Sequence, residues 1–459
     1  MAGNLQDANQ ETSRFLKSGS GPVCRYYDFD QFRVDVLKCL LLRSGKPVPL
    51  PPKAFEVLLA LVRRNGATVS KDELLRQIWP DAIVEESNLA QYIFLLRKAL
   101  GEANRESRYI LTVPKIGYRF AADLRPVPAK SGDTAGLNRS AAWDVQQCYL
   151  KGRYFWNQRT EEGFRKSIRY FEQAIEMDPG YARAYVGLAD SYNLLAYYTG
   201  AAPGETYPKA ITAARRALEL DPTLAEAHAS LALAEVDFKW QWAAAEARYR
   251  DAIALKADYA MAHDWYAEYL TTQGRYSEAM AEIQRALELD PYSLTANRDF
   301  GFLLYMARRY DEAAKQLEDT LEMDQSALMA RCFLAGAYDQ LGMPAKAVSQ
   351  VTDALSAEPE SSLLQAELAY AYVKLGRRQE AMTIAGSLET KARTRYVSPF
   401  DLATIYAALD DPDRVFYWLE RACQIRPWRL VYLNVEPRLD PVRADVRFTA
   451  IAARMGLNR

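Results

Sequence analysis

The sequence predicts a mainly α chain: an N-terminal α/β winged helix-turn-helix, then an all-α superhelical solenoid of helix pairs. Three observations carry this reading. Residues 70–120 hold two short helical patterns, a connector and a strand pair that closes on Gly117-Tyr118-Arg119. From about residue 143 the chain repeats, with Ala279, Ala313, Ala347 and Ala381 spaced by 34, a period that signals stacked helix–turn–helix units. Between the two parts, Pro126 to Gly136 is rich in Pro, Gly and small polar residues, the composition of a flexible linker.

Taken in order, residues 1–24 read as a polar, disordered tail with no basic-then-apolar leader pattern. Residues 25–123 are expected to form the winged helix-turn-helix, 124–142 the linker, 143–427 about eight helix pairs, and 428–459 a C-terminal capping segment. The alternation of Phe29, Phe32, Val34 and Leu37, with turn residues Ser44-Gly45-Lys46-Pro47, suits an N-terminal antiparallel sheet. Ser70-Lys71-Asp72-Glu73 is a capping box: the Ser70 hydroxyl can accept from the Glu73 amide, and the Glu73 carboxylate can reach back. The helix it opens buries Leu74, Leu75 and Ile78 and stops before Pro80.

The next helix spans about Ser87–Leu100. Leu89, Ile93, Leu96 and Leu100 fall on one face as a core stripe. The opposite face carries Ser87, Asn88, Gln91, Phe94, Leu95 and Lys98. Such a helix is about 21 Å long and fits a DNA major groove about 12 Å wide. Asn and Gln can pair with adenine, and apolar side chains can meet a thymine methyl. The alternative for that face is an ordinary solvated surface, which would leave Phe94 and Leu95 in water.

Four stretches, LPPKAFEVLL from Leu50, Ser70 to Trp79, NLAQYIFLLRKAL from Asn88 and TVPKIGYRF from Thr112, resemble the OmpR/PhoB-type winged-helix effector domain over about residues 26–121. The resemblance implies an N-terminal sheet, three helices and a hairpin wing. It also implies a third helix that reads bases and a wing that enters the minor groove. By position it makes Asn88, Gln91, Tyr92 and Leu95 base-facing, and Thr112, Lys115 and Arg119 phosphate or wing contacts. This chain has Phe94 and Leu95 where many relatives are polar, and Pro114-Lys115 where many have Arg-Gly. Its base preference is therefore expected to differ. Residues 24–125 hold 17 Lys and Arg against 12 Asp and Glu, a net of +5, while the whole chain is −1. A basic module on an acidic body suits binding to double-stranded DNA. Relatives on direct repeats imply two copies bound head to tail, a homodimer on DNA.

In the repeat region Ala174, Ala217, Ala252 and Ala286 share a second register, followed by Asp-Pro at 178–179, 221–222 and 290–291. Units such as LAGAYDQLGMPAKAVSQVTDALSAEP from Leu334 are similar to tetratricopeptide (TPR) repeats, over roughly residues 143–427. Small Ala335 and Ala347 let paired helices approach, Leu334 and Tyr338 fill the space between units, and Pro359 ends the second helix. The second unit holds extra residues around Tyr198–Tyr207, expected between its helices. Likeness to peptide-binding members places Asp190, Asn193, Asp237, Asp264, Glu268, Arg298, Tyr305 and Asp339 on a concave, protein-binding groove. The plain alternative for each is a solvated polar position.

The sequence also excludes chemistry. No run nears the roughly 18 apolar residues that would span a membrane. Five cysteines stand far apart with no CxxC, which suits a reduced, cytoplasmic setting. His228 and His263 occupy one position in adjacent repeats, so packing is expected there and not a metal site. No phosphate-binding loop or nucleophile–base arrangement stands out, so neither a cofactor nor an enzyme activity is expected. About 25 residues precede the winged helix, too few for a receiver domain. Input is then expected through the array, through oligomerisation or through protein amount, and residues 1–125 are expected to bind DNA alone. The function expected is a sequence-specific DNA-binding transcriptional regulator whose array is a protein-interaction or sensory module. The alternative is a scaffold or adaptor whose winged helix is a protein contact.

Overall fold

The computed structural model describes residues 24–36, 40–48, 50–78, 86–102, 108–114, 116–128 and 136–457. The chain divides at Arg139/Ser140 into two compact units.

In the first unit, β1 (Cys24–Phe29), β2 (Phe32–Asp35), β3 (Leu40–Arg43) and β4 (Lys46–Val48) form an antiparallel sheet. Its alternation works as expected: Phe29, Phe32, Val34 and Leu41 are buried. Leu37 lies outside the described residues. The β3–β4 turn needs only two residues, Ser44 and Gly45, both at positive φ (50° and 82°), as a tight hairpin of matching twist requires. Lys46 and Pro47, expected in the turn, belong to β4 instead. β8 (Arg125–Pro128) adds to the far side of β1, giving the order β4-β3-β2-β1-β8. These residues were expected in the linker. Their two prolines are tolerated because β8 is an edge strand, where missing N–H donors cost little.

Three helices follow: α1 (Pro52–Arg63), α2 (Lys71–Ile78) and α3 (Glu86–Ala99). The Ser70 hydroxyl accepts from the Glu73 amide at 3.1 Å, as the capping box requires. The Glu73 carboxylate pairs with the guanidinium of Arg64, the C-cap residue of α1. Leu74 and Ile78 are buried, and Leu75 is half-buried against the core. A second sheet, ordered β5-β7-β6, joins β5 (Thr68–Ser70) to the hairpin β6 (Ile110–Val113) and β7 (Gly117–Phe120). Phe29 packs on Phe120 at 4.9 Å and on Tyr109 at 5.5 Å, which locks the two sheets together.

The second unit pairs sixteen helices among the described residues. They are α4 (Gly136–Trp156) with α5 (Glu161–Met177), α6 (Ala182–Tyr198) with α7 (Pro203–Leu220), and α8 (Ala225–Ala234) with α9 (Trp242–Leu255). Next come α10 (Ala260–Thr272) with α11 (Tyr276–Leu289), α12 (Leu294–Met306) with α13 (Tyr310–Met323), and α14 (Leu328–Gln340) with α15 (Pro344–Ala357). The last are α16 (Ser362–Lys374) with α17 (Arg378–Lys391) and α18 (Pro399–Ala408) with α19 (Pro412–Ile425). Both alanine registers are buried throughout, so helix backbones approach closely wherever they recur. Asp178, Asp221 and Asp290 are C-cap residues, each just ahead of its proline.

Departures from the 34-residue period have physical forms. The extra residues near Tyr198 lengthen α6 to 17 and α7 to 18 residues, against 13 and 14 in α10 and α11; only residues 199–202 join them. The step from Ala217 to Ala252 is one residue too long, and α8 absorbs it by ending in a π-helical turn, Glu235–Lys239. His228 and His263 have a structural task. Each presents Nε2 to the carbonyl oxygen six residues earlier, at 3.0 and 3.1 Å. Asn297, Arg331 and Gln365 repeat the bond one unit apart. This position therefore ties the preceding turn to the first helix in the five pairs that begin with α8, α10, α12, α14 and α16.

Past α19 the chain turns at left-handed Arg426 and runs through short 3-10 turns at Trp428–Tyr432 and Pro437–Val442 to α20 (Val446–Arg454). This segment lies against the first helices of the pairs. Trp428 stacks on Tyr197 at 4.1 Å, and Tyr432 meets the Phe302 edge at 5.0 Å. Tyr305 donates to Glu436 at 2.9 Å. Arg429 pairs with Glu367 and Asp401 at 2.7 and 3.1 Å, and Arg438 with Glu367 and Glu436 at 3.0 Å.

Candidate nucleic-acid interface

The candidate interface comprises α3 and the β6–β7 wing. α3 is held by its stripe: Leu89, Ile93, Leu96 and Leu100 are all buried. Its other face is left to solvent, with Gln91 and Lys98 exposed and Tyr92 and Leu95 half-buried. Phe94 is 59% exposed, and Ile116, between the wing strands, is 55% exposed. The side chains of Ser87 and Asn88, and Lys115 as a whole, lie outside the described residues.

Arg97, which sequence reasoning missed, fixes the wing to α3. Its Nη2 donates to the Ile110 carbonyl and to the Thr112 hydroxyl, both at 2.8 Å. The buried Glu102 carboxylate accepts from the Tyr109 and Ile110 amides and faces Arg97 Nε at 3.9 Å. Thr112 is thus exposed but already accepts from Arg97; its own hydroxyl proton is what it can offer a phosphate. Arg119 is exposed on β7, opposite Leu111 and Thr68. Gly117 is required where β7 crosses β5: a Cβ there would lie 2.0 Å from the Val69 carbonyl oxygen. The only sequence hint of Arg97 was a basic residue on the flank of the stripe, because its partners lie beyond a loop.

The expected groove residues are placed differently. Asp190, Asn193, Asp237, Asp264, Arg298, Tyr305 and Asp339 are buried, and Glu268 is half-buried. The C-terminal segment meets part of this set, with Glu436 on Tyr305; the others are covered by neighbouring helices of the array. Asp190 pairs with Arg153 at 2.9 Å, and Asn193 donates to the Ser230 carbonyl at 2.9 Å. Tyr207 donates to Asp237 at 2.9 Å, and Arg298 holds Asp299 through two bonds of 2.7 Å. Burial pushes the Asp237 carboxyl up to about 7, and raises Asp190, Asp264, Glu268 and Asp339. In the covering segment and beside it, burial lifts Glu436 to about 7 and Asp401 to about 6 against the pull of Arg429.

Among the described residues no group of His, Cys, Asp or Glu is placed to hold a metal, and no helix is long and apolar enough to cross a membrane.

Comparison with known proteins finds matches within both units. Residues 45–120 match the family model described as transcriptional regulatory protein, C terminal. Residues 149–225, 241–293 and 270–332 match tetratricopeptide repeat models. The transcriptional regulator HilA of Salmonella typhimurium is 46% identical over 92 residues, covering 20% of this chain and 16% of that one. The transcriptional activator CadC of Escherichia coli is 36% identical over 79 residues, covering 17% and 15%. This chain therefore matches only about a sixth of the length of either relative. The solved DNA-binding domain of E. coli CadC is 27% identical, with 23% of this chain and 99% of that chain covered and a TM-score of 0.21.

Proposed function

From an OmpR/PhoB-type DNA-binding winged helix and a tetratricopeptide array in one chain, we propose that the protein is a sequence-specific transcriptional regulator. The observation that carries this is the solvent-facing surface of α3, with Gln91 and Lys98 exposed beside a wing clamped by Arg97. Gln91 reads a base, and Lys98, Arg119 and Lys115 neutralise phosphates. Ser87, Asn88, Tyr92, Leu95 and Thr112 complete the contact. Two copies occupy direct-repeat half-sites about one helical turn apart. The array is a protein-interaction or sensory module, the chain works in the cytoplasm, and it catalyses no reaction. Selecting bound duplexes from a random pool, then measuring affinity against salt, tests this. Phosphate contacts make affinity fall steeply with salt; a flat profile counts against it.

One observation favours a second reading. Phe94 and Ile116 are large, apolar and more than half exposed, as a protein-contact surface would be. In that reading the winged helix is an adaptor, and Phe94→Ala would abolish partner capture and leave DNA affinity unchanged.

A further inference from the structure

Among the described residues of α3, Phe94 is the one large apolar side chain left more than half exposed. It stands three residues after Gln91 and four before Lys98, so the three share one face at helical spacing. Ala90, one turn ahead, is exposed and too small to cover the ring. The opposite stripe, Leu89, Ile93, Leu96 and Leu100, is buried. Rolling α3 to hide Phe94 would bring that stripe into water. Arg97 fixes the same rotation from the flank, through the Ile110 carbonyl and the Thr112 hydroxyl at 2.8 Å. Phe94 is therefore held outward, and a docking that brings Gln91 and Lys98 onto DNA brings the ring with them.

A phenyl ring neither donates nor accepts a conventional hydrogen bond. Set on the major-groove edge of guanine, cytosine or adenine, it would cover donors and acceptors and strand them without water. Thymine alone presents an apolar group there, its C5 methyl. We propose that Phe94 packs on a thymine methyl in the major groove and is a specificity-determining residue of the interface. The proposal rests on the reading of α3 as the base-reading helix. Gln91 pairs with adenine, and side chains three apart on a helix stand about 5–6 Å from each other at Cβ. Base pairs are spaced about 3.4 Å along the duplex. The methyl therefore lies within about two base pairs of the adenine that Gln91 contacts. Leu95, on the same face, is half-buried and offers less surface for this contact. Removing one methyl group from an apolar contact changes affinity about fourfold.

The test uses the full chain and one duplex selected from a random pool. Each thymine of the site is replaced in turn by deoxyuridine, which lacks only the methyl group. Affinities are measured for the parent, Phe94→Ala and Leu95→Ala, with melting curves showing that both variants fold. The parent is expected to lose about fourfold at one thymine or two adjacent ones, close to the base pair at which Gln91→Ala relaxes preference. Phe94→Ala should bind the thymine duplex more weakly and no longer distinguish uracil from thymine there, whereas Leu95→Ala should still distinguish them. Any change that uracil makes to duplex stiffness acts on parent and variant alike, so the difference between them reports the contact. The proposal is overturned if the parent tolerates uracil at every position, if Phe94→Ala keeps the full methyl dependence, or if Leu95→Ala removes it equally. A salt series separates this failure from that of the regulator reading. A parent that binds the selected duplex with a steep salt dependence but ignores the methyl removes Phe94 as a reader and leaves the regulator standing. A parent that binds no duplex at low salt removes both.

Discussion

Arg97 lies on the flank of α3 and directs its guanidinium into the wing, where it meets the Ile110 carbonyl and the Thr112 hydroxyl. It positions α3 and the wing, the two elements proposed to meet DNA, against each other. Arg97→Ala should therefore weaken specific DNA more than random DNA, measured by competition binding. Gln91→Ala should cost about 1–3 kcal/mol at the selected site and relax one base pair, whereas Lys98→Ala should weaken all sequences and lower the salt slope by about one. Equal loss from both on both DNAs would remove direct readout. In the array, Asp237, with its carboxyl held at about 7 by burial, gives a pH dependence of stability. Its folded value lies above the unfolded one, so its contribution is complete below about pH 4 and is lost as pH rises to about 7. Asp237→Asn should gain in melting temperature relative to the parent between about pH 5 and 7. A constant difference across that window would contradict the assignment. The residues on the α3 stripe were legible from period alone. Arg97 was not, because its partners lie 13 and 15 residues away across a loop.

At the scale of elements, the alanine registers show what a repeat encodes. Ala347, on α15, is fully buried where that helix pairs with α14. Ala347→Arg should cost several kcal/mol, by overpacking and by burying a charge. Hydrogen exchange should lose protection first near residues 330–360, since neighbours in a stack share interfaces; unchanged exchange there would contradict the pairing. Gly117→Ala should displace the wing, because β7 cannot move away from the Val69 carbonyl without breaking the β5 ladder. The helix pairs, their caps and the wing hairpin were readable from spacing and turn chemistry. The forms of the irregularities were not. A count of 35 shows an extra residue without saying that a π-turn takes it, and extra residues near Tyr198 do not announce whether they make a loop or lengthen two helices. β8 was missed for a related reason: a Pro-rich edge strand has the composition of a linker.

For the whole molecule, the largest difference from expectation is the C-terminal segment. Trp428, Arg429, Tyr432 and Arg438 have no repeat period, so nothing in the sequence shows that they return to the array. Only the structure pairs them with Tyr197, Glu367 and Phe302. The groove that a tetratricopeptide likeness implies is consequently closed over much of its length by its own chain. A winged-helix fragment must also be cut after β8, not at residue 125, since Arg125–Pro128 pairs with β1. Deleting the array should change regulation or assembly on DNA more than intrinsic affinity. The central claim is that α3 and its wing bind duplex DNA by sequence. Its most direct test is the affinity of the full chain for a selected duplex and for its scrambled counterpart, across a salt series. Both should weaken steeply with salt, and the selected duplex should stay tighter by about a thousandfold or more. Absence of binding to either duplex at low salt would contradict it, and would make the exposed Phe94 face a protein contact instead.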